Sequence, residues 1–185
     1  MGLVERCPHP PARSLVTLGA PHRGVFGLPG CSTAWCAMVR SLLSWAAYTD
    51  WLQSRLTPAQ YWHDPTQPAN HAARSTFLAP INNAARGRRD PRLRRNLLRL
   101  QRLVLVAWAG DTFLQPANTA HFGYYRPGQA VHMEQLEESP LWRQDWLGLR
   151  QLDARGDLHR LTMEGDHMNL DIDWIRKNIV IPFLQ

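Results

Sequence analysis

Leu103-Val104-Leu105-Val106-Ala107 is the stretch on which the fold turns. Its residues are consecutively apolar, with no polar alternation, so they read as a strand covered on both faces. That is the pattern of a parallel sheet, and parallel neighbours are at hand. Ser14-Leu15-Val16-Thr17-Leu18 is a short apolar run stopped by Gly19, Ala20 and Pro21. The run from Leu158 to Met163 is the third, followed at once by Glu164-Gly165-Asp166-His167.

The segments between these strands carry helical patterns. Residues 34–51 place Trp35, Val39, Leu42, Leu43 and Ala46 on one face, and Trp45 and Trp51 enlarge the apolar surface. Residues 57–85 are interrupted by Pro58, Pro65, Pro68 and Pro80, which predicts short helices and turns. An amphipathic helix is expected over 92–102, with Leu93, Leu97, Leu100 and Val104 inward and Arg92, Arg95, Arg99 and Arg102 outward. Further helices are expected at 147–154 and 170–184; the last carries Ile172, Ile175, Ile179 and Phe183 on one face and frays at Pro182. The alternation predicts an α/β fold of about three parallel strands with flanking helices. Residues 32–90 read as a cap-like helical insertion within one domain, 1–185.

The composition of the 185 residues, 44% hydrophobic and 19% charged, excludes a disordered tail. No apolar run approaches the roughly 18 residues needed to span a bilayer. Residues 1–13 hold Glu5, Arg6 and several prolines, with no apolar segment of a secretory signal. The net charge of +6 is local: residues 86–102 contain eight arginines and one acid, Asp90. Those arginines are read as a solvated face rather than a nucleic-acid site. His22, His63, His71 and His121 lack the helical spacing of a metal site and are read as structural or surface residues. Cys31 and Cys36 lie five apart in a turn-rich loop and can bridge locally, whereas Cys7 is either an ordinary buried thiol or lacks its partner.

In open α/β sheets reactive groups gather beyond the carboxyl ends of strands. Asp111 follows the central strand and Gly110; His167 follows the third strand. An acid and then a histidine, in that chain order, form the last two members of a Ser-Asp-His series. In such a series the histidine takes the serine proton and returns it to the leaving group, while the carboxylate fixes the tautomer. Spacing alone is equally satisfied by two unrelated loop residues.

The surrounding words narrow this. Leu18-Gly19-Ala20-Pro21-His22-Arg23-Gly24, Val25-Phe26-Gly27-Leu28-Pro29 with Cys31, Tyr61-Trp62-His63-Asp64-Pro65, Phe122-Gly123-Tyr124-Tyr125-Arg126, Gln144-Asp145-Trp146-Leu147-Gly148-Leu149 and Glu164-Gly165-Asp166-His167 occur in order. Together they resemble the palmitoyl-protein thioesterases, α/β-hydrolases that remove fatty acyl groups from cysteine in the lysosome. The resemblance runs from about Cys7 to Leu184. It implies that Asp111 and His167 are the triad acid and base, that Cys31 pairs with Cys36, and that Cys7 matches a cysteine whose partner lies upstream. It also implies a fatty-acyl groove lined by the cap-like region, substrates that are S-palmitoylated proteins or fatty acyl thioesters, no cofactor, no metal and a lysosomal location. No Asn-x-Ser/Thr sequon occurs.

No Gly-x-Ser-x-Gly occurs either, so these residues contain no nucleophile elbow. Cys7 and Cys31 are poor substitutes, since neither sits on a strand-to-helix turn. The expectation is that the serine and the oxyanion donors belong to a segment outside the chain, and that the chain alone hydrolyses no palmitoyl thioester. With an unpaired edge at Ser14–Leu18 it should also be poorly soluble. The alternative is a noncatalytic lipid- or partner-binding module derived from this fold.

Overall fold

The computed structural model describes residues 1–27 and 34–185, without the side chains of 34–37, 39 and 40. Its centre is the strand β2, Arg102–Trp108, hydrogen-bonded in parallel to β1, Ser14–Leu18, and to a third strand, Leu158–Met163. The order has β2 in the middle, so β1 and the third strand are the margins of this sheet among the described residues. Val104 stands opposite Val16 on one side and His159 on the other.

The uninterrupted apolar run of β2 is explained by a core on each face. Leu103 and Leu105 enter one cluster with Leu97, Phe122, Leu147 and Leu152. Val104, Val106 and Trp108 point the other way, onto Met163 and Ile179. Successive strand side chains alternate faces, so a strand with two covers has no position to give to water. Each fully buried Leu or Val contributes about 1.5–3 kcal/mol.

Helix α1, Gly2–Arg6, precedes β1 and packs on α7, Pro91–Leu97. Between β1 and α7 come α2, Ala34–Ala46; α3, Asp50–Arg55; α4, Thr57–Tyr61; α5, Pro68–Arg74; and α6, Leu78–Ile81. The proline-broken stretch is therefore short helices and turns, with Pro at the start of α4 and α5, where its missing N–H is harmless. The helix expected over 34–51 is two. The Thr49 hydroxyl donates to Ala46 O at 2.8 Å, closing α2, and Thr49 itself is extended before α3. The arginine-rich helix is also shorter than its periodicity predicts. Leu98 closes α7 through its N–H to Arg94 O, and the next residues turn into β2, so Val104 belongs to the strand.

After β2 the chain forms the short antiparallel pair β3, Tyr124–Tyr125, and β4, Met133–Glu134. Helices α8, Pro140–Arg143, and α9, Leu149–Ala154, lead to β5, the Leu158–Met163 strand. The final helix begins at α10, Ile172–Ile175, and continues in wider π-type turns over Arg176–Leu184, with Pro182 inside rather than beyond it. Wider turns bring residues four apart into line. Ile175, Ile179 and Phe183 therefore pack under the sheet, whereas Ile172 faces water.

No helix among the described residues is long and apolar enough to cross a membrane. Cys7 is a free, exposed thiol rather than a buried one. The expected Cys31–Cys36 pairing lies outside the described residues.

Candidate active site

All three parallel strands end at the same margin of the sheet, and their continuations touch. Gly19 N–H donates to Val106 O at 2.8 Å, Ala109 N–H to Met163 O at 2.9 Å, and Gly110 N–H to Gly165 O at 3.0 Å. The parallel register of β2 and β5 thus carries the loops after Trp108 and Met163 to one point. A Cβ on Gly110 would lie 3.0 Å from Gly165 O, so the close approach relies on the missing side chain.

Asp111 and His167 meet there, with His167 Nδ1 donating to Asp111 Oδ2 at 2.7 Å. The second carboxylate oxygen, Oδ1, accepts the backbone N–H groups of Phe113 at 3.0 Å and Leu114 at 2.8 Å. The Asp111 side chain is 1% exposed and that of His167 18%. The imidazole stacks on Phe113 at 4.8 Å between ring centroids, with Trp108 at 5.7 Å. Gly19, at φ +53°, lies under the ring: a Cβ there would stand 2.7 Å from Trp108 and 2.9 Å from His167 Cε1. With Nδ1 committed to the carboxylate, Nε2 makes no hydrogen bond among the described residues. Such a ring can accept a proton at Nε2 while the carboxylate stabilises the resulting cation.

A second cross-link holds the two loops together. Asp166 accepts from Thr112 N–H at 2.8 Å, from the Thr112 hydroxyl at 2.9 Å and from the His167 N–H at 2.7 Å. These donors hold its carboxyl below the usual aspartate range, the Thr112 backbone N–H contributing most. Sequence reasoning gave Asp166 and Thr112 no role. The available signal was position: each adjoins a member of the Asp111–His167 pair.

Beside the pair opens an apolar cavity of about 560 Å³, lined by Val25, Leu43, Leu52, Leu56, Trp62 and Phe113 among others. Phe113 links the two, one side on the cavity and its face on His167. Its size falls within the roughly 300–1,000 Å³ of ordinary ligand sites.

The other histidines singled out above lie elsewhere: His22 and His71 are buried, His63 and His121 half-buried. His22 Nε2 shares a hydrogen bond with Thr17 Oγ1 at 2.9 Å, and its ring stacks on Phe122. Burial lowers its pKa to about 3. His63 and His71 stack at 3.8 Å; burial lowers His71 to about 4 and holds His63 well below the ordinary value. His121 Nε2 donates to Leu161 O at 3.0 Å. No group of three His, Cys, Asp or Glu among the described residues converges as metal ligands do. Around these histidines Arg23 makes a buried ion pair with Glu134 at 2.8 Å, and Tyr124 donates through its hydroxyl to His63 O. The words around Arg23, His63 and Tyr124 are thereby joined in one network. Of the arginine-rich segment, Arg92 pairs with Asp90, and Arg94 with Asp145, both at 2.8 Å.

Comparison with known proteins gives the family. The family model for palmitoyl protein thioesterase matches residues 2–167. The chain is 39% identical to palmitoyl-protein thioesterase 1 of Caenorhabditis elegans over 170 residues, 91% of this chain and 56% of that protein. It is 30% identical to palmitoyl-protein thioesterase 3 of Dictyostelium discoideum, covering 98% of this chain and 63% of that one. To the mouse protein named lysosomal thioesterase PPT2 it is 32% identical, covering 82% and 50% respectively. The chain thus spans little more than half the length of the relatives it matches.

Proposed function

From a chain that belongs to the palmitoyl-protein thioesterase family, we propose the base-and-acid portion of an enzyme that hydrolyses thioester-linked palmitate, or other long-chain acyl groups, from S-acylated cysteine in proteins. The observation that carries the proposal is the 2.7 Å contact of His167 Nδ1 with Asp111 Oδ2 beside the apolar cavity. In this reading His167 Nε2 takes the proton of a serine hydroxyl as its oxygen attacks the thioester carbonyl. The C–S bond then breaks, His167 returns the proton to the departing cysteine sulfur, and the acyl group stays on the serine oxygen. Water, deprotonated by the same nitrogen, attacks the acyl carbonyl; the C–O bond to serine breaks, His167 returns the proton to the serine oxygen, and the fatty acid is released. Asp111 keeps the proton on Nδ1, so that Nε2 is the basic nitrogen throughout.

The serine and the oxyanion donors come from a segment outside these 185 residues, which contain no Gly-x-Ser-x-Gly. Residues 32–90 act as a cap over the acyl chain, which lies in the cavity with its carbonyl toward His167. The place of work is the lysosome, the compartment in the mouse relative's name. A covalent Cys31–Cys36 link belongs to the same reading, as such a bridge survives outside the cytosol.

The absence of an elbow also favours a second reading, a noncatalytic acyl-binding module. One experiment separates them: S-palmitoyl peptide is incubated with the chain alone and with the chain plus an elbow-bearing segment from a relative. Turnover only in the mixture, lost in His167→Ala, is expected. Palmitate binding without turnover in the mixture selects the module, and turnover by the chain alone overturns the assignment of the missing serine.

A further inference from the structure

Helix α2 lies at the surface with an inverted outer face. Met38, Leu42 and Trp45 recur at spacings of four and three, one stripe of a helix, and are 48%, 61% and 79% exposed. The opposite side of the helix carries Leu43, which lines the apolar cavity together with Ala47 just past the helix end. A surface helix ordinarily turns one apolar stripe inward and offers polar residues to water; α2 offers apolar side chains on both sides. Beyond the break at Thr49 the exposed apolar surface continues with Trp51 and Leu56. Leu56 is also on the cavity wall, as is the exposed Phe113 that stacks on His167. The patch therefore runs to the mouth of the cavity.

We propose that α2 and α3 form a membrane-docking face, lying in the headgroup region of a phospholipid bilayer and presenting the cavity mouth to acyl chains lodged there. The inference rests on the acyl-thioesterase reading of the cavity and adds the surface from which the enzyme draws its substrate. Three observations select a lipid surface over a protein one. The most exposed side chains include two tryptophans, whose rings, apolar with one polar edge, settle at membrane–water interfaces. The Arg55 guanidinium sits 5.3 Å from the Trp51 ring centroid, placing a cation beside the indole at the level phosphate groups would occupy. Asp50 is the sole acidic residue between positions 34 and 61, so no ring of negative charge opposes a headgroup layer. The chemistry agrees: a lipid chain on a protein rests in the bilayer, and drawing it through water exposes every methylene. A cavity that opens at the interface avoids that exposure.

The test uses the whole chain, vesicles of phosphatidylcholine with phosphatidylserine, and matched vesicles brominated in their acyl chains. Co-sedimentation with the vesicles and quenching of tryptophan fluorescence by the bromolipid are expected. Both should fall about tenfold or more in Trp45→Ser/Trp51→Ser; both indoles are exposed, so circular dichroism should be unchanged. The proposal is overturned if the chain stays in the supernatant, or if the double variant pellets like the parent. It is also overturned if sedimentation equilibrium shows a dimer that this variant dissociates, which makes the face a contact between copies. Vesicle binding without hydrolysis of a soluble acyl thioester in the elbow-supplied mixture supports docking while removing the hydrolase reading. Hydrolysis of that thioester without vesicle binding does the reverse.

Discussion

His167 and the His63–His71 pair occupy opposite kinds of site, and the difference shows what leaves one histidine able to exchange a proton and keeps the others from it. His167 has a carboxylate on one nitrogen, an aromatic ring on its face and access to solvent. His63 and His71 stack on one another in a largely enclosed site near the charge of Arg23, so loss of solvent and like charge both hold their pKa values down. A ring that cannot gain a proton cannot move one. Burial therefore marks the scaffold here, and a lone carboxylate partner beyond the strand ends marks the histidine to which the proposed function assigns the chemistry.

The contrast breaks most sharply on substitution. With an elbow-bearing segment present, His167→Ala or Asp111→Asn should lower turnover of a palmitoyl thioester by roughly 10⁴-fold, with the thermal midpoint nearly unchanged. Around the structural pair the outcome should invert. Arg23→Met leaves Glu134 buried without its cation and should destabilise the fold by about 3–5 kcal/mol in urea titrations, and Arg23→Met/Glu134→Leu should recover much of that loss. A double variant no more stable than the single would show that packing, rather than the stranded charge, is responsible.

Acidity sharpens the same contrast. His22 and His71 are lowered from about 6.5 to about 3 and 4, so the unfolded chain binds protons that the folded chain refuses. Their contribution to stability is full above pH 6.5 and drains as pH falls toward 4. Calorimetry should show the midpoint dropping by roughly 5–10 °C over that interval, and less in His71→Phe. Glu5 has the opposite sign. Burial without a hydrogen-bond partner raises its carboxyl from 4.5 to about 8, so stability is lost as pH rises from 4.5 through 8. Glu5→Gln should flatten the alkaline side of the profile.

The smallest effect is expected at Asp166, a positioning residue. Asp166→Ala removes the clamp on Thr112 and should lower kcat about tenfold with KM little changed. Restoration by Asp166→Asn, which keeps an acceptor for both N–H groups, would show that the hydrogen bonds rather than the charge matter.

Much of the scaffold was legible because parallel strands announce themselves. The run at Leu103–Ala107 has no polar residue, and both of its faces are covered. Asp111 and His167 were visible as groups following strands, but their contact depends on the register of β2 against β5, which no local pattern encodes. Thr112 and Asp166 were hidden for the same reason. Arg23 and Glu134 stand 111 positions apart, and each alone looks like a surface charge. Periodicity misled where one polar group outweighed it: Thr49 divides an apolar stripe into two helices, and Leu42, counted on one face with Leu43, is exposed.

The outer margin of β1 has no neighbouring strand among the described residues. Whatever joins it there would be gripped chiefly by amides and carbonyls, groups common to every sequence. Splicing this chain to a donor from a distant species is thus a problem of alignment along the backbone more than of matched side chains, and divergent donors should serve.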